Sequence, residues 1–210
     1  MSRKVVIVGI GTGVGKTLVS AIVCKALCAA YWKPVQTGYL SGKGDRDADE
    51  VQKLSACQVY PEAYLFEEPL SPHAAAAIDG KRVDVQQIKV PQHDGNLVVE
   101  GAGGLMVPLN EEVLYIDLLA QWQFPVILVV RHYLGNINHT LLSVEALKKR
   151  NIPILGLIMS GNPLPETVSA IQHFSGQPVL LHIPELDEVN EEVVEVLAEE
   201  LKEKLGKMLI

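Results

Sequence analysis

The chain has no apolar run long enough to cross a bilayer as a helix, no dense Lys/Arg cluster, no internal repeat and no low-complexity tract. The first absence excludes a spanning helix, which needs about twenty predominantly apolar residues. The second argues against a nucleic-acid or anionic-membrane surface. Basic residues number 18 and acidic residues 25, a formal charge of -7, so an anionic ligand has to be met locally by a few cations. Cysteine is scarce as well. Cys24, Cys28 and Cys57 have neither metal-site nor redox-motif spacing, and an odd count fits a reducing compartment. Cys24 and Cys28 lie one turn apart on a helical pattern and read as small buried thiols. Arg3 and Lys4 precede an apolar run too short, and too soon followed by glycines, for a cleaved secretion signal. A soluble, cytoplasmic protein is expected.

What is present suits one α/β unit. At 210 residues a single domain, 1–210, buries roughly 70% of its unfolded surface and needs no metal or disulfide staple. Short apolar runs at 4–8, 97–100, 126–130, 154–159 and 179–183 have the length of buried strands. Segments with helical spacing follow at 114–122, 137–149, 166–174 and 191–208. This alternation predicts a mainly parallel β-sheet flanked by helices. Asn190 is placed to cap the last helix, with Glu191 and Glu192 against its dipole. Residues 39–95 are more polar, and Pro61, Pro69, Pro72 and Pro91 break them up. Short helices and loops at the carboxyl edge of the sheet are expected there, where substrate loops commonly lie.

The stretch 4–17, KVVIVGIGTGVGKT, carries the most chemistry. An apolar strand empties into a glycine-rich turn ending in Gly15-Lys16-Thr17, and Leu18, Val19, Ile22, Val23, Ala26 and Leu27 then recur with helical spacing. Glycines let successive N–H groups approach an anion while the helix directs its positive end at the same spot. Strand, loop and helix in that order define a phosphate-binding loop, in which Lys16 reaches the outer phosphates and Thr17 ligates Mg²⁺. The usual pattern places four residues between its first glycine and Gly-Lys, which here falls on Ile10; Gly9 and Gly11 flank that position instead.

Other polar groups sit at the ends of apolar runs. Glu100 closes one, ahead of Gly101-Ala102-Gly103-Gly104. An ionised acid near the core is costly to desolvate, so it faces a cation or acts as a cap. Asp45, Asp47 and Asp49 form an acidic stretch with Arg46, and nucleotide-held Mg²⁺ takes only one or two carboxylates, so most of these are solvated. In Lys33-Pro34-Val35-Gln36-Thr37-Gly38 the lysine follows Tyr31-Trp32; unless it lies at the surface it needs an anionic partner. Leu134-Gly135-Asn136-Ile137-Asn138-His139 opens a helix whose N–H groups, with Asn138, can hold a carboxylate. Ser71-Pro72-His73 is a further polar cluster, and His139 reads as a packed or surface histidine.

Taken in order along the chain, GIGTGVGKT, KPVQTG, RDADE, SPH, VEGAGG, PVILVV with LGNINH, and HIPEL closely resemble dethiobiotin synthetases. That family has a phosphate loop with one extra residue, which accounts for the misfit at Ile10. The resemblance implies a P-loop NTPase fold and a homodimeric, Mg²⁺- and ATP-dependent ligase of biotin synthesis that closes diaminopelargonate and CO₂ into a cyclic urea. It implies that Gly13, Val14, Gly15, Lys16 and Thr17 wrap the triphosphate, and that Thr17, Asp49 and Glu100 stand around Mg²⁺. Lys33 matches the active-site lysine, and Thr37 a substrate-contacting hydroxyl. Glu100, Gly101, Ala102 and Gly103 would line the same pocket. Leu134, Gly135, Asn136 and Asn138 match the segment that receives the substrate carboxylate from the neighbouring subunit, which puts the active site at a dimer interface. Ser160, Gly161, Ile183, Pro184 and Glu185 match the border of the adenine.

Three positions and one stretch depart from the family. Gly13 stands where an acid is common, and Ser160 where asparagine is common, which predicts loose discrimination among triphosphates because a hydroxyl has less hydrogen-bonding reach than a carboxamide. Tyr133 replaces a basic residue ahead of LGNINH. The stretch between the first helix and Lys33 is short, so either that helix ends early or the second strand is abbreviated. The competing readings are a related amidating synthetase and a dimeric P-loop ATPase switch. The first would need a glutaminase domain; membrane-bound examples of the second often end in a basic amphipathic helix, whereas 191–203 is strongly acidic.

Overall fold

Valine, isoleucine and leucine occupy both faces of the central strands, which is why their sequences read as continuous apolar runs rather than alternating ones. The computed structural model describes residues 3–39 and 46–208; Asp45 of the acidic stretch lies outside them. Nine strands are assigned among the described residues: β1 (Lys4–Gly9), β2 (Ala30–Trp32), β3 (Val35–Gln36), β4 (Val59–Tyr60), β5 (Tyr64–Leu65), β6 (Leu97–Gly104), β7 (Val126–Arg131), β8 (Ile154–Ser160) and β9 (Val179–Ile183). Seven form one parallel sheet in the order β4-β2-β6-β1-β7-β8-β9, and β3 pairs with β5 beside it.

The helices are α1 (Lys16–Leu27), α2 (Asp47–Ser55), α3 (Pro72–Ile78), α4 (Tyr115–Trp122), α5 (Asn136–Lys149), α6 (Pro165–Ser175) and α7 (Glu191–Met208). On one sheet face Val5, Ile7, Val98, Ile127 and Val129 pack with Val19 and Ile22 of α1, Val51 of α2, and Leu197 and Leu201 of α7. On the other, Val6, Val8, Val99 and Leu128 pack with Ala75, Ile116, Leu119, Val144, Leu147 and Ile171 from α3 to α6. Asn190 caps α7 as expected, its Oδ1 accepting from Val193 N at 3.0 Å. No helix among the described residues is long and apolar enough to cross a membrane.

The five longer strands and the five long helical patterns lie where the apolar periodicity puts them. Between α1 and Lys33 it is the strand that is abbreviated: Cys28 closes α1 in the left-handed conformation, and β2 has only three residues. Register then aligns the chemistry. Trp32 lies opposite Val99 and Ile7 opposite Glu100, so Lys33, Glu100 and the loop after β1 emerge together at the carboxyl edge of three adjacent strands. Arg131, Ser160 and Ile183 stand abreast at the ends of β7, β8 and β9 by the same logic.

Candidate active site

The loop after β1 is shaped by its glycines. Gly13 and Gly15 have φ of 70° and 93°, in the left-handed region where side chains are strained. Gly9 is needed for another reason: a Cβ there would lie 2.6 Å from Val14 Cγ2 and 3.0 Å from Gly11 O. Gly9, one residue earlier than the usual spacing, therefore lets the loop fold back over the strand end. Val14 is buried there as a plug, its carbonyl accepting from Ser160 Oγ at 3.2 Å, so this side chain anchors the loop and does not line the cavity.

A cavity of about 440 Å³ opens above the loop, lined by Gly13, Gly15, Lys16, Thr17, Lys33, Gln36, Thr37, Asp47, Glu100, Ala102, Gly103 and Arg131 among others. Glu100 is its electrostatic centre and is 1% exposed. Its Oε2 accepts from Ser20 Oγ at 2.7 Å and from Tyr31 Oη at 3.0 Å, and its Oε1 accepts from Lys33 Nζ at 3.2 Å and Thr17 Oγ1 at 3.4 Å. Burial and the adjoining Glu100 push the Tyr31 phenol well up, which keeps it a donor. Lys33 also contacts Asp47, so this buried lysine bridges two carboxylates. Lys16 Nζ donates to Gly11 O at 3.0 Å, and burial lowers its pKa to about 8 against the opposing pull of Glu100.

Two acidic assignments divide here. Asp49 does not reach the cavity. It is held by Arg46, whose Nη2 lies 2.6 Å from Asp49 Oδ1, and Arg46 also reaches Glu62 at 3.4 Å. The hydrogen bond from Arg46 holds the Asp49 carboxyl below its ordinary range. Asp47, the first residue of α2, lines the cavity and contacts Lys33. Its backbone N–H donates to Gln36 Oε1 at 3.3 Å, which ties the start of α2 to the strand after Lys33. Gly101 is likewise outside the lining, since it packs where a Cβ would meet Tyr115 Cε1 at 3.1 Å and Ile7 O at 3.4 Å. Ser20, Tyr31, Gln36 and Arg131 are site neighbours that sequence reasoning missed; only Ser20, one turn beyond Thr17, left a local signal.

Other expected residues lie apart from Lys33. Ser160 borders the loop, and Gly161 N donates to Ile183 O at 2.9 Å, next to Glu185, whose Oε1 pairs with Arg131 at 3.4 Å. Pro184 is exposed between them, while Ile183 is buried in the sheet. Leu134, Gly135, Asn136 and Asn138 line a different cavity, of about 650 Å³, with His132, Asn162 and Leu164. Within it Asn136 is buried with its amide 3.5 Å from His132 Nδ1, so it braces the turn, and Tyr133 Oη bonds His139 Nδ1 at 2.7 Å. Ser71 Oγ pairs with His73 Nδ1 at 3.0 Å at the start of α3, outside the Lys33 cavity.

The hydroxyl of Thr17 and the carboxylates of Asp47 and Glu100 are hard oxygen donors around one cavity, a set that fits Mg²⁺, which takes one or two carboxylates and completes its shell from phosphates and water. Among the described residues no cluster of three or more His, Cys, Asp or Glu side chains forms an all-protein cation cage.

A parallel sheet with a glycine loop, Lys16 and Thr17 at the switch from β1 to α1 defines the class: a P-loop nucleotide-binding protein. Known proteins agree. The septum site-determining protein MinD of Pyrococcus horikoshii OT3, complexed with Mg-ADP, superimposes with a TM-score of 0.60 at 19% identity, covering 100% of this chain and 98% of that one. A family model described as an AAA domain matches residues 3–193. The ATP-dependent dethiobiotin synthetase BioD of Christiangramia forsetii is 47% identical over 208 residues, which is 98% of this chain and 99% of that protein. The biotin biosynthesis bifunctional protein BioCD of Bordetella avium is 45% identical over 200 residues, but the chain spans only 43% of its length. The chain belongs to the ATP-dependent dethiobiotin synthetase family.

Proposed function

We propose that the chain is a cyclo-ligase that joins 7,8-diaminononanoate (diaminopelargonate) and CO₂ into dethiobiotin at the expense of ATP, in biotin synthesis. The observation that carries this reading is Lys33, a buried lysine held between Asp47 and Glu100 beside the loop that suits a triphosphate. A nucleotide switch needs the loop and a cation for its phosphates but has no carbamate for Lys33 to stabilise.

One substrate amine takes up CO₂ as a carbamate, whose oxygen attacks the γ-phosphate of ATP and releases ADP. The second amine then attacks the carbon of the resulting carbamic-phosphoric anhydride, closes the ring and expels phosphate. Catalysis of such a transfer is positioning plus positive charge where oxygen charge accumulates. Lys16 neutralises the β/γ oxygens, and Lys33 stabilises the carbamate and the phosphoryl group moving onto it. Thr17, Asp47 and Glu100 would hold Mg²⁺, which would neutralise phosphate charge. Thr37 faces the diamine, with Ala102 and Gly103 along the same wall. Ser160, Gly161, Pro184 and Glu185 border the adenine, with Ile183 behind them.

The protein acts as a homodimer in this reading. Within one chain, Leu134 to Asn138 lie in a different cavity from Lys33, so their contact with substrate is made across an interface. Met106 and Leu142 are exposed beside Gly11 and Thr12, the apolar surface an interface next to the loop requires. The test is product analysis: phosphate release must depend on both diamine and bicarbonate, with the cyclic urea isolated. Lys16→Ala or Lys33→Ala should nearly abolish it while leaving the fold intact, and phosphate release without diamine at the full rate would favour the switch instead.

A further inference from the structure

Arg131 lines the cavity above the phosphate loop, yet the phosphoryl-transfer steps give it no part. Its place follows from register. Gly9 pairs with Val129, so Arg131, two residues on, stands level with Gly11 in the loop, and on its other side it pairs with Ser160. Side chains alternate along a strand, and Ile127 and Val129 pack on the α1 side of the sheet. Arg131 shares that phase, which turns its guanidinium toward the loop. Among the described residues Lys16, Lys33 and Arg131 are the cations lining the cavity. Lys33 is bound to both cavity carboxylates, Asp47 and Glu100, and Lys16 Nζ to Gly11 O. Arg131 differs, because its acidic partner, Glu185, lies outside the cavity wall.

We propose that Arg131 is a further cation of the triphosphate site, held by Glu185 while the site is empty and transferred to phosphate oxygens when the nucleotide enters. The existing pair is easily given up. It is a single contact from Nη2 to Oε1 of 3.4 Å, between side chains 49% and 56% exposed. A charge-assisted bond is ordinarily about 2.7–2.9 Å long, and an exposed pair contributes little. The planar fork of a guanidinium is better matched by two phosphate oxygens than by one distant carboxylate oxygen. Room for them exists: Gly13, on the same wall, presents no side chain, and among the described residues nothing lies within 4 Å of where its Cβ would stand. Glu185 thus competes with the nucleotide for one cation. This role requires a triphosphate on the loop, as the proposed function does, but neither the diamine nor CO₂.

The experiment is calorimetry on the full-length protein with Mg²⁺ and without diamine, using sodium tripolyphosphate and ATP as probes. Arg131→Ala should weaken both by the same factor, about tenfold, the lower end for hydrogen bonds to a charged group, and the loss should shrink as salt is added. Arg131→Lys, which keeps the charge without the fork, should fall between Arg131→Ala and the parent. Glu185→Gln should tighten tripolyphosphate by up to about fivefold, and most of that gain should vanish when Arg131 is also replaced by alanine. The proposal is overturned if Arg131→Ala leaves both Kd values unchanged, since the residue is then only half of a surface ion pair. It is overturned equally if ATP weakens but tripolyphosphate does not, or if Glu185→Gln gives the same gain in both backgrounds. No diamine is present, so failure of the ligase reading would leave these results standing, and failure here would leave diamine-dependent phosphate release in place.

Discussion

Asp47→Asn and Asp49→Asn should behave very differently, although both are aspartates and only two residues apart. Asparagine keeps the size and one carbonyl oxygen of aspartate, so the change is chiefly one of charge. Asp47 is 25% exposed and faces Lys33, which is 8% exposed, so its field is only partly screened by water. Unit charges about 4 Å apart interact by about 4 kcal/mol at an effective dielectric near 20. Discounting that for partial exposure leaves about 2–3 kcal/mol, or roughly 30- to 150-fold in kcat/KM for ATP if the charge acts in the transition state. Asp49 is 44% exposed and Arg46 33%, and exposed pairs of this kind contribute about 0–1 kcal/mol, less than about fivefold. The assay is diamine-dependent phosphate release over a Mg²⁺ titration, with circular dichroism melts to check folding. Asp47→Asn should also raise the Mg²⁺ requirement. Losses of equal size in the two variants, or a larger loss for Asp49→Asn, would refute the assignment of Asp47 to the site.

Further outcomes follow from the same geometry. Lys16 titrates near 8 because it is buried; phosphates favour its charged form, so ATP affinity should be constant below pH 8 and weaken by about tenfold per unit above it, and calorimetry showing a flat affinity from neutral to strongly alkaline pH would contradict this. Ser160 already donates to Val14 O at 3.2 Å, leaving little capacity for a base, so kcat/KM for ATP and for other triphosphates should differ by less than a thousandfold in competition assays. Gly9→Ala places a methyl 2.6 Å from Val14 Cγ2 and should cost about 1–3 kcal/mol in loop distortion; an ATP Kd equal to that of the parent would show that the loop yields freely.

The parts of this molecule that are local in sequence were readable as such. The phosphate loop announces itself because strand, glycines and helix are contiguous, and Glu100 and Lys33 stand out as charges at the ends of apolar runs. Asp47 and Asp49 could not be separated, since residues two apart on a helix point about 200° from one another and the phase is set only where α2 begins. At that start the Asp47 N–H donates to Gln36 and Arg46 reaches Glu62, contacts with residues outside the helix. Ser20 and Tyr31 were missed for a related reason: each is an ordinary core-facing residue until Glu100 arrives from β6. The two-residue strands β3, β4 and β5 carry too little periodicity to be seen.

Glu100 receives hydrogen bonds from α1, from β2 and from the residue that follows β2. Bonds to a buried charge are worth about 1.5–3 kcal/mol each, so the neighbours that ready this carboxylate for chemistry also fasten the middle of the sheet. Directed evolution that seeks a new role for Glu100 would therefore have to rebuild the part of the sheet that Ser20 and Tyr31 hold through it.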